Sequence, residues 1–173
     1  MKSPDALRVL ICSANAGLCQ LIRTSLRGVQ MRDIHFADNP RAVIAAFTVA
    51  QPDVLLVHVE GPENDAGLST IRFIRRWEKS PNRRIPIVAA SQCRDLPTIS
   101  AAINAGTNEY AVTPASGDML QKKIMAAVQS DRPFIEHPSY VGPCRRRRQL
   151  ESYAGPERRI AASPIAVVPV AAE

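Results

Sequence analysis

Short apolar runs alternate with segments of helical period through the first three quarters of the chain. Residues 8–12, Arg-Val-Leu-Ile-Cys, form a continuous apolar run that predicts a strand buried on both faces, as in parallel sheets. In 15–28, Leu18, Leu21, Ile22 and Leu26 recur at helical spacing, with Asn15 placed to cap the start and Gly28 to end it. A strand at 33–37 and a helix over 40–50 follow; Pro40 stands in the first helical turn, and Val43, Ile44 and Phe47 share a face. The pattern then predicts a strand at 53–59, a loop at 60–67 and a helix at 68–80. Beyond it come a strand at 85–91, a weaker helix over 95–105 ending at Gly106, a strand at 109–113 and a last helix over 116–130.

This β-α alternation, repeated five times, argues for an α/β fold: a flavodoxin-like, doubly wound parallel sheet with helices on both faces, over 7–130. In such a sheet function gathers at the carboxyl ends of the strands. Those ends are Cys12–Asn15, His58–Glu60, Ser91 and Thr113–Pro114. After Ser130 the pattern changes. Residues 131–173 carry prolines at 133, 138, 143, 156, 164 and 169 and only short apolar runs, and they are expected to be an extended or disordered tail.

The 173 residues suit one domain with residues to spare, and the aromatic share of 5% implies a core of Val, Ile, Leu and Ala. A net charge of +6 points to an acidic partner without choosing one. The four cysteines, Cys12, Cys19, Cys93 and Cys144, lack metal-ligand spacing and are expected to be free thiols. No run approaches the ~20 apolar residues needed to cross a bilayer, and no leader pattern opens the chain, so a cytoplasmic location is expected. Arg72, Arg75, Arg76, Lys79, Arg83 and Arg84 form a second basic feature, expected to be a solvated helix face, with Trp77 as partial core.

Segments 52–67 (PDVLLVHVEGPENDAG), 85–91 (IPIVAAS) and 106–116 (GTNEYAVTPAS) resemble the CheY-like receiver domain of response regulators. The resemblance implies two acidic Mg²⁺ ligands after the first strand, an aspartate phosphoacceptor after the third, a hydroxyl residue after the fourth and a lysine after the fifth. At the matching positions stand Ser13 and Ala14, His58, Ser91 and Thr113; Tyr110 matches the family's switch aromatic. Mg²⁺ prefers carboxylate oxygens, and phosphoryl transfer to an acyl acceptor needs a carboxylate and nearby cations. The expectation is a pseudo-receiver that binds no Mg²⁺, is not phosphorylated and is not an enzyme, with His58 filling the vacated pocket beside Ser13 or Ser91.

Within 140–159 a motif, Tyr-x-Gly-Pro-x-Arg-Arg, occurs twice: Tyr140 to Arg146 and Tyr153 to Arg159. Gly-Pro makes a turn in each copy, at Gly142 and Gly155, and projects the arginines that follow. Arginine forks suit phosphate oxygens and the O6/N7 edge of guanine, and aromatic rings offer stacking faces. Two copies suit a ligand with two equivalent halves. A receiver-like domain with such an extension is similar to the Cle-type effectors of cyclic di-GMP. That resemblance implies cyclic di-GMP as ligand and a protein partner such as the flagellar motor switch, with nucleic acid not expected. Arg145, Arg146, Arg147, Arg148, Arg158 and Arg159 would meet the nucleotide, with Tyr140 and Tyr153 stacking. The alternative is a protein-interaction domain whose basic tail binds an acidic protein, RNA or membrane without nucleotide specificity.

Overall fold

A computed structural model describes residues 3–63 and 65–145, together with the backbone of 166–168. Five parallel strands, β1 (Val9–Cys12), β2 (Ile34–Ala37), β3 (Val54–His58), β4 (Ile87–Ser91) and β5 (Glu109–Val112), lie in the order β2-β1-β3-β4-β5. This is the flavodoxin-like order, reversing at β1 and β3. The helices are α1 (Ala16–Gly28), α2 (Pro40–Val49), α3 (Ala66–Arg76), α4 (Leu96–Ala105) and α5 (Gly117–Val128).

Strand alternation divides the core in two. Val9, Ile11, Val54, Leu56 and Val88 pack with Leu18, Ile22 and Leu26 of α1 and Leu120 and Ile124 of α5. Leu10, Leu55, Val57, Ile87 and Ala89 face Val43 and Phe47 of α2, Leu68, Ile71 and Ile74 of α3 and Ala102 of α4. Each fully buried Leu or Ile contributes about 1.5–3 kcal/mol of transfer free energy, which makes this double layer the main source of cohesion.

Side-chain caps start the helices. Asn15, Asn39, Asp65, Asp95 and Ser116 each accept an amide N–H of the first turn. At α3 the helix begins two residues earlier than the apolar period indicates, because Asp65 captures the amide of Leu68 at 2.7 Å. It also ends at Arg76, where Trp77 turns to extended backbone and stacks on Phe73 with ring centroids 5.1 Å apart.

The folded body continues past residue 130. Residues 131–145 pack on the domain and contain an antiparallel hairpin, β6 (Phe134–His137) and β7 (Tyr140–Pro143), turned at Pro138-Ser139. A short strand, β8 (Ala166–Val168), pairs with the other edge of β6. The first part of the expected tail is therefore extended, as its prolines indicate, but held by tertiary contacts that sequence periodicity does not report.

Candidate functional site

At the carboxyl edge of the sheet, β1 and β3 bring Ser13 and His58 together, with Ser13 Oγ 3.2 Å from His58 Nδ1. The Glu60 carboxylate reaches the same ring nitrogen at 4.0 Å, from a side chain that is 81% exposed. Ser91 is buried, and its hydroxyl accepts the Cys93 amide at 3.1 Å. Thr113 is also buried, and its Oγ1 has no hydrogen-bond partner among the described residues. Ala14 points a methyl group at solvent. Tyr110 leans inward and donates its hydroxyl to the Cys93 carbonyl at 2.8 Å, tying β5 to the loop after β4. Burial raises the Tyr110 pKa, opposed by a hydrogen bond with Ser91.

Mg²⁺ needs several hard oxygen ligands. Here Asp65 is committed to the amides of Leu68, Glu60 and Gly61, which leaves Glu60 as the carboxylate beside His58. This donor set does not fit the ion. Gly67 seals the position from below: a Cβ there would sit 1.9 Å from the His58 carbonyl oxygen, so α3 lies directly against the end of β3.

The amino edge of the sheet is built differently. Arg75, expected on a solvated face, is instead 1% exposed. Its Nε donates to the Gly106 carbonyl at 2.9 Å, Nη1 to the carbonyls of Arg83 and Ile85 at 2.6 and 2.8 Å, and Nη2 to Asn108 Oδ1 at 2.9 Å. Burial lowers its pKa, while these acceptors favour the charged form. Its place is dictated by the helix: Leu68, Ile71 and Arg75 fall on one inward stripe.

The neighbouring basic residues hold the hairpin. Phe134 lies beneath two guanidiniums, Arg75 and Arg84, with ring-to-Cζ distances of 5.5 and 5.4 Å. Glu136 faces Arg83 at 3.5 Å and Arg84 at 3.9 Å, and Arg76 donates to the Ser139 carbonyl at the hairpin turn. Arg132 donates to the carbonyl oxygens of Asn108 and Cys144 and to Ser130 Oγ, and pairs with Glu109 at 3.9 Å. Of the six residues read as one solvated basic face, Arg72, Arg76, Lys79 and Arg84 are exposed, Arg83 is half-buried and Arg75 is buried; Arg75, Arg76, Arg83 and Arg84 contact the hairpin. Trp77 is half-buried.

The first copy of the repeat closes on itself. Tyr140 is buried, and its hydroxyl donates to the Pro143 carbonyl at 2.6 Å. Gly142 has φ +156° and lies against Gly106 (φ +107°); a Cβ on Gly142 would meet the Gly106 Cα at 2.7 Å. Arg145 is exposed and lies over the Tyr140 ring, its Cζ 4.0 Å from the centroid. Burial raises the Tyr140 pKa, with Arg145 the largest opposing influence. The ring that the sequence offers as a stacking face for ligand is thus covered on one side by its own arginine. Arg146, Arg147, Arg148, Tyr153, Gly155, Arg158 and Arg159 lie outside the described residues.

Sequence reasoning missed Arg75, Asp65, Arg132 and Glu136. For Arg75 the signal was its register with Leu68 and Ile71; for Asp65 it was the cap position before an apolar helix. Nothing local marks Glu136, whose arginine partners lie more than fifty positions earlier, or the bond of Arg132 to Asn108, 24 positions earlier.

Among the described residues no helix is long and apolar enough to cross a membrane. The response regulator receiver domain matches residues 9–125. The regulatory protein AtoC of Escherichia coli K12 is 25% identical over 122 residues, covering 70% of this chain and 25% of AtoC. The KDP operon transcriptional regulatory protein KdpE of the same organism is 26% identical over 121 residues, covering 70% and 51%. The chain therefore spans between a quarter and half the length of these relatives. Among solved structures, a putative response regulator from Chloroflexus aurantiacus superposes with a TM-score of 0.61 at 19% identity, covering 72% of this chain and 98% of that one. The chemotaxis response regulator CheY4 of Vibrio cholerae superposes at 0.57 and 18%, covering 70% and 98%. By sequence match and by fold, this chain belongs to the response regulator receiver domain family.

Proposed function

We propose that the chain is a signalling adaptor that binds cyclic di-GMP through its arginine-rich segment, and that its receiver domain takes no phosphoryl group. The observation that carries this reading is Arg145. Its guanidinium lies with Cζ over the Tyr140 ring, 4.0 Å from the centroid, makes no ion pair among the described residues, and directly precedes three further arginines. A guanidinium held this way has its edge ready for phosphate oxygens or the O6/N7 edge of guanine. The second copy of the motif supplies the same letters for a second half of the ligand. The donor set around His58 supports the other half of the reading, since Ser13, Ala14 and Thr113 offer neither the carboxylates nor the cation that aspartyl phosphorylation uses. The receiver face around Tyr110 and α5 would then meet a protein partner, the flagellar motor switch by resemblance to the Cle-type effectors.

Calorimetric titration of the intact chain with cyclic di-GMP tests this. Low-micromolar or tighter binding is expected, lost in the Arg145→Ala/Arg146→Ala/Arg158→Ala/Arg159→Ala variant. Absence of heat, or unchanged binding in that variant, overturns it.

One observation favours a second reading. Tyr140 and Gly142 are buried, so those letters of the first copy have a packing role of their own. The arginines could then serve any polyanion. That reading predicts steeply salt-dependent binding to RNA or anionic vesicles, with no preference for guanine.

A further inference from the structure

We infer that the arginine-rich segment does not hold its ligand alone: a notch between the hairpin and the amino edge of the sheet, framed by Arg132 and Arg145, takes one phosphate group of the nucleotide. This rests on the nucleotide reading above and adds a domain residue, Arg132, to the site. Asn108, Thr107 and Tyr140 complete the walls of an open notch with a volume of about 20 Å³. That is below the ~300–1,000 Å³ of pockets that enclose a whole small molecule, so the notch suits a single group of a larger ligand.

The charge is right for an anion. Arg132 and Arg145 both line the space. The facing carboxylate, Glu109, stands 3.9 Å from Arg132 and is already paired with Lys123 at 3.1 Å. The two arginines are also held in different ways. Arg132 is fixed by bonds to Ser130, Cys144 and Asn108, with only 16% of its side chain exposed. A guanidinium has five N–H donors, so those three bonds and the ion pair leave donor capacity. Arg145 is exposed and oriented by its stack on Tyr140. Ordering Arg132 before the ligand arrives lowers the entropic cost of binding. Two guanidiniums on one phosphate give the short, charge-assisted hydrogen bonds that Arg–phosphate pairs favour.

The test uses the intact chain. Cyclic di-GMP and, separately, inorganic phosphate are titrated while the Arg132 Nε–H signal and the amides of Thr107 and Asn108 are followed by NMR. Calorimetry with cyclic di-GMP is run on the wild type, Arg132→Lys and Arg145→Gln. Both ligands should move the Arg132 signal, and each variant should weaken dinucleotide binding roughly tenfold. Tight dinucleotide binding with Arg132 unmoved and both variants unaffected removes the notch and leaves the nucleotide reading standing. No dinucleotide binding, with phosphate still moving Arg132, keeps the notch as an anion site and removes the nucleotide reading. If neither ligand moves Arg132, the notch is wrong. Should Arg132→Lys fail to fold, the wild-type shifts and the exposed Arg145→Gln change still decide.

Discussion

At the carboxyl edge of the sheet, Ser13 and His58 are in side-chain contact at 3.2 Å, Ser91 accepts the Cys93 amide, and the buried hydroxyl of Thr113 has no partner among the described residues. At the amino edge, Arg75 alone makes four hydrogen bonds, and Arg76, Arg83, Arg84 and Arg132 bind a hairpin that the five-unit pattern does not include. At the edge where the family's chemistry is expected, Ser13, Ala14, His58 and Thr113 stand at the matched positions, and the five strands around them keep the order β2-β1-β3-β4-β5. The opposite edge has a network of buried charge and glycine contacts. His58 and Ser91 are the last residues of β3 and β4, while Ser13, Ala14 and Thr113 follow the ends of β1 and β5, so all five lie at the margin of the two apolar layers. Addition of a hairpin, in contrast, draws helix and loop residues into the packing.

The largest expected difference between the edges is in stability. Arg75→Ala leaves buried carbonyls without donors and should cost about 3–5 kcal/mol in denaturant unfolding. His58→Ala, at the other edge, removes one hydrogen bond and should cost about 1 kcal/mol. Equal costs would break the comparison. Next is Gly106→Ala. A Cβ there would lie 2.5 Å from the Val141 carbonyl oxygen at φ +107°, so a loss of about 1–3 kcal/mol is expected. Hydrogen exchange sharpens this point: the amides of β6 and β7 should lose protection in the variant before those of β1 and β3 do. The smallest effect belongs to Glu136→Gln. Its pairs with Arg83 and Arg84 are partly exposed, and the cost should be about 0.5 kcal/mol or less, shrinking with added salt.

The five-unit sheet was legible because its signals are local. Runs such as Val54–Val57 and helical faces such as Leu18, Ile22 and Leu26 need no knowledge of the rest of the chain. The places of Ser13, His58, Ser91 and Thr113 were legible for the same reason, since each lies at a strand end that the pattern predicts. Arg75 was misread because an arginine on an amphipathic helix is normally solvated, and only the backbone carbonyls of Gly106, Arg83 and Ile85 make its burial favourable. The hairpin was read as tail because its prolines break local pattern, while Phe134 and Glu136 are held by residues about fifty positions earlier. The arginine repeat was visible as letters; that Tyr140 and Gly142 pack inward follows from contacts with Pro143 and Gly106.

The central claim is that a signal enters at the amino edge and not at the carboxyl edge. It is tested most directly by an amide chemical-shift map of the intact chain, recorded with cyclic di-GMP and, in parallel, with acetyl phosphate and Mg²⁺. The account predicts that the dinucleotide moves residues 103–109 and 132–145, and that acetyl phosphate with Mg²⁺ leaves Ser13, His58, Ser91 and Thr113 where they were. Shifts around His58 with acetyl phosphate, together with an unmoved hairpin in the presence of dinucleotide, would contradict it.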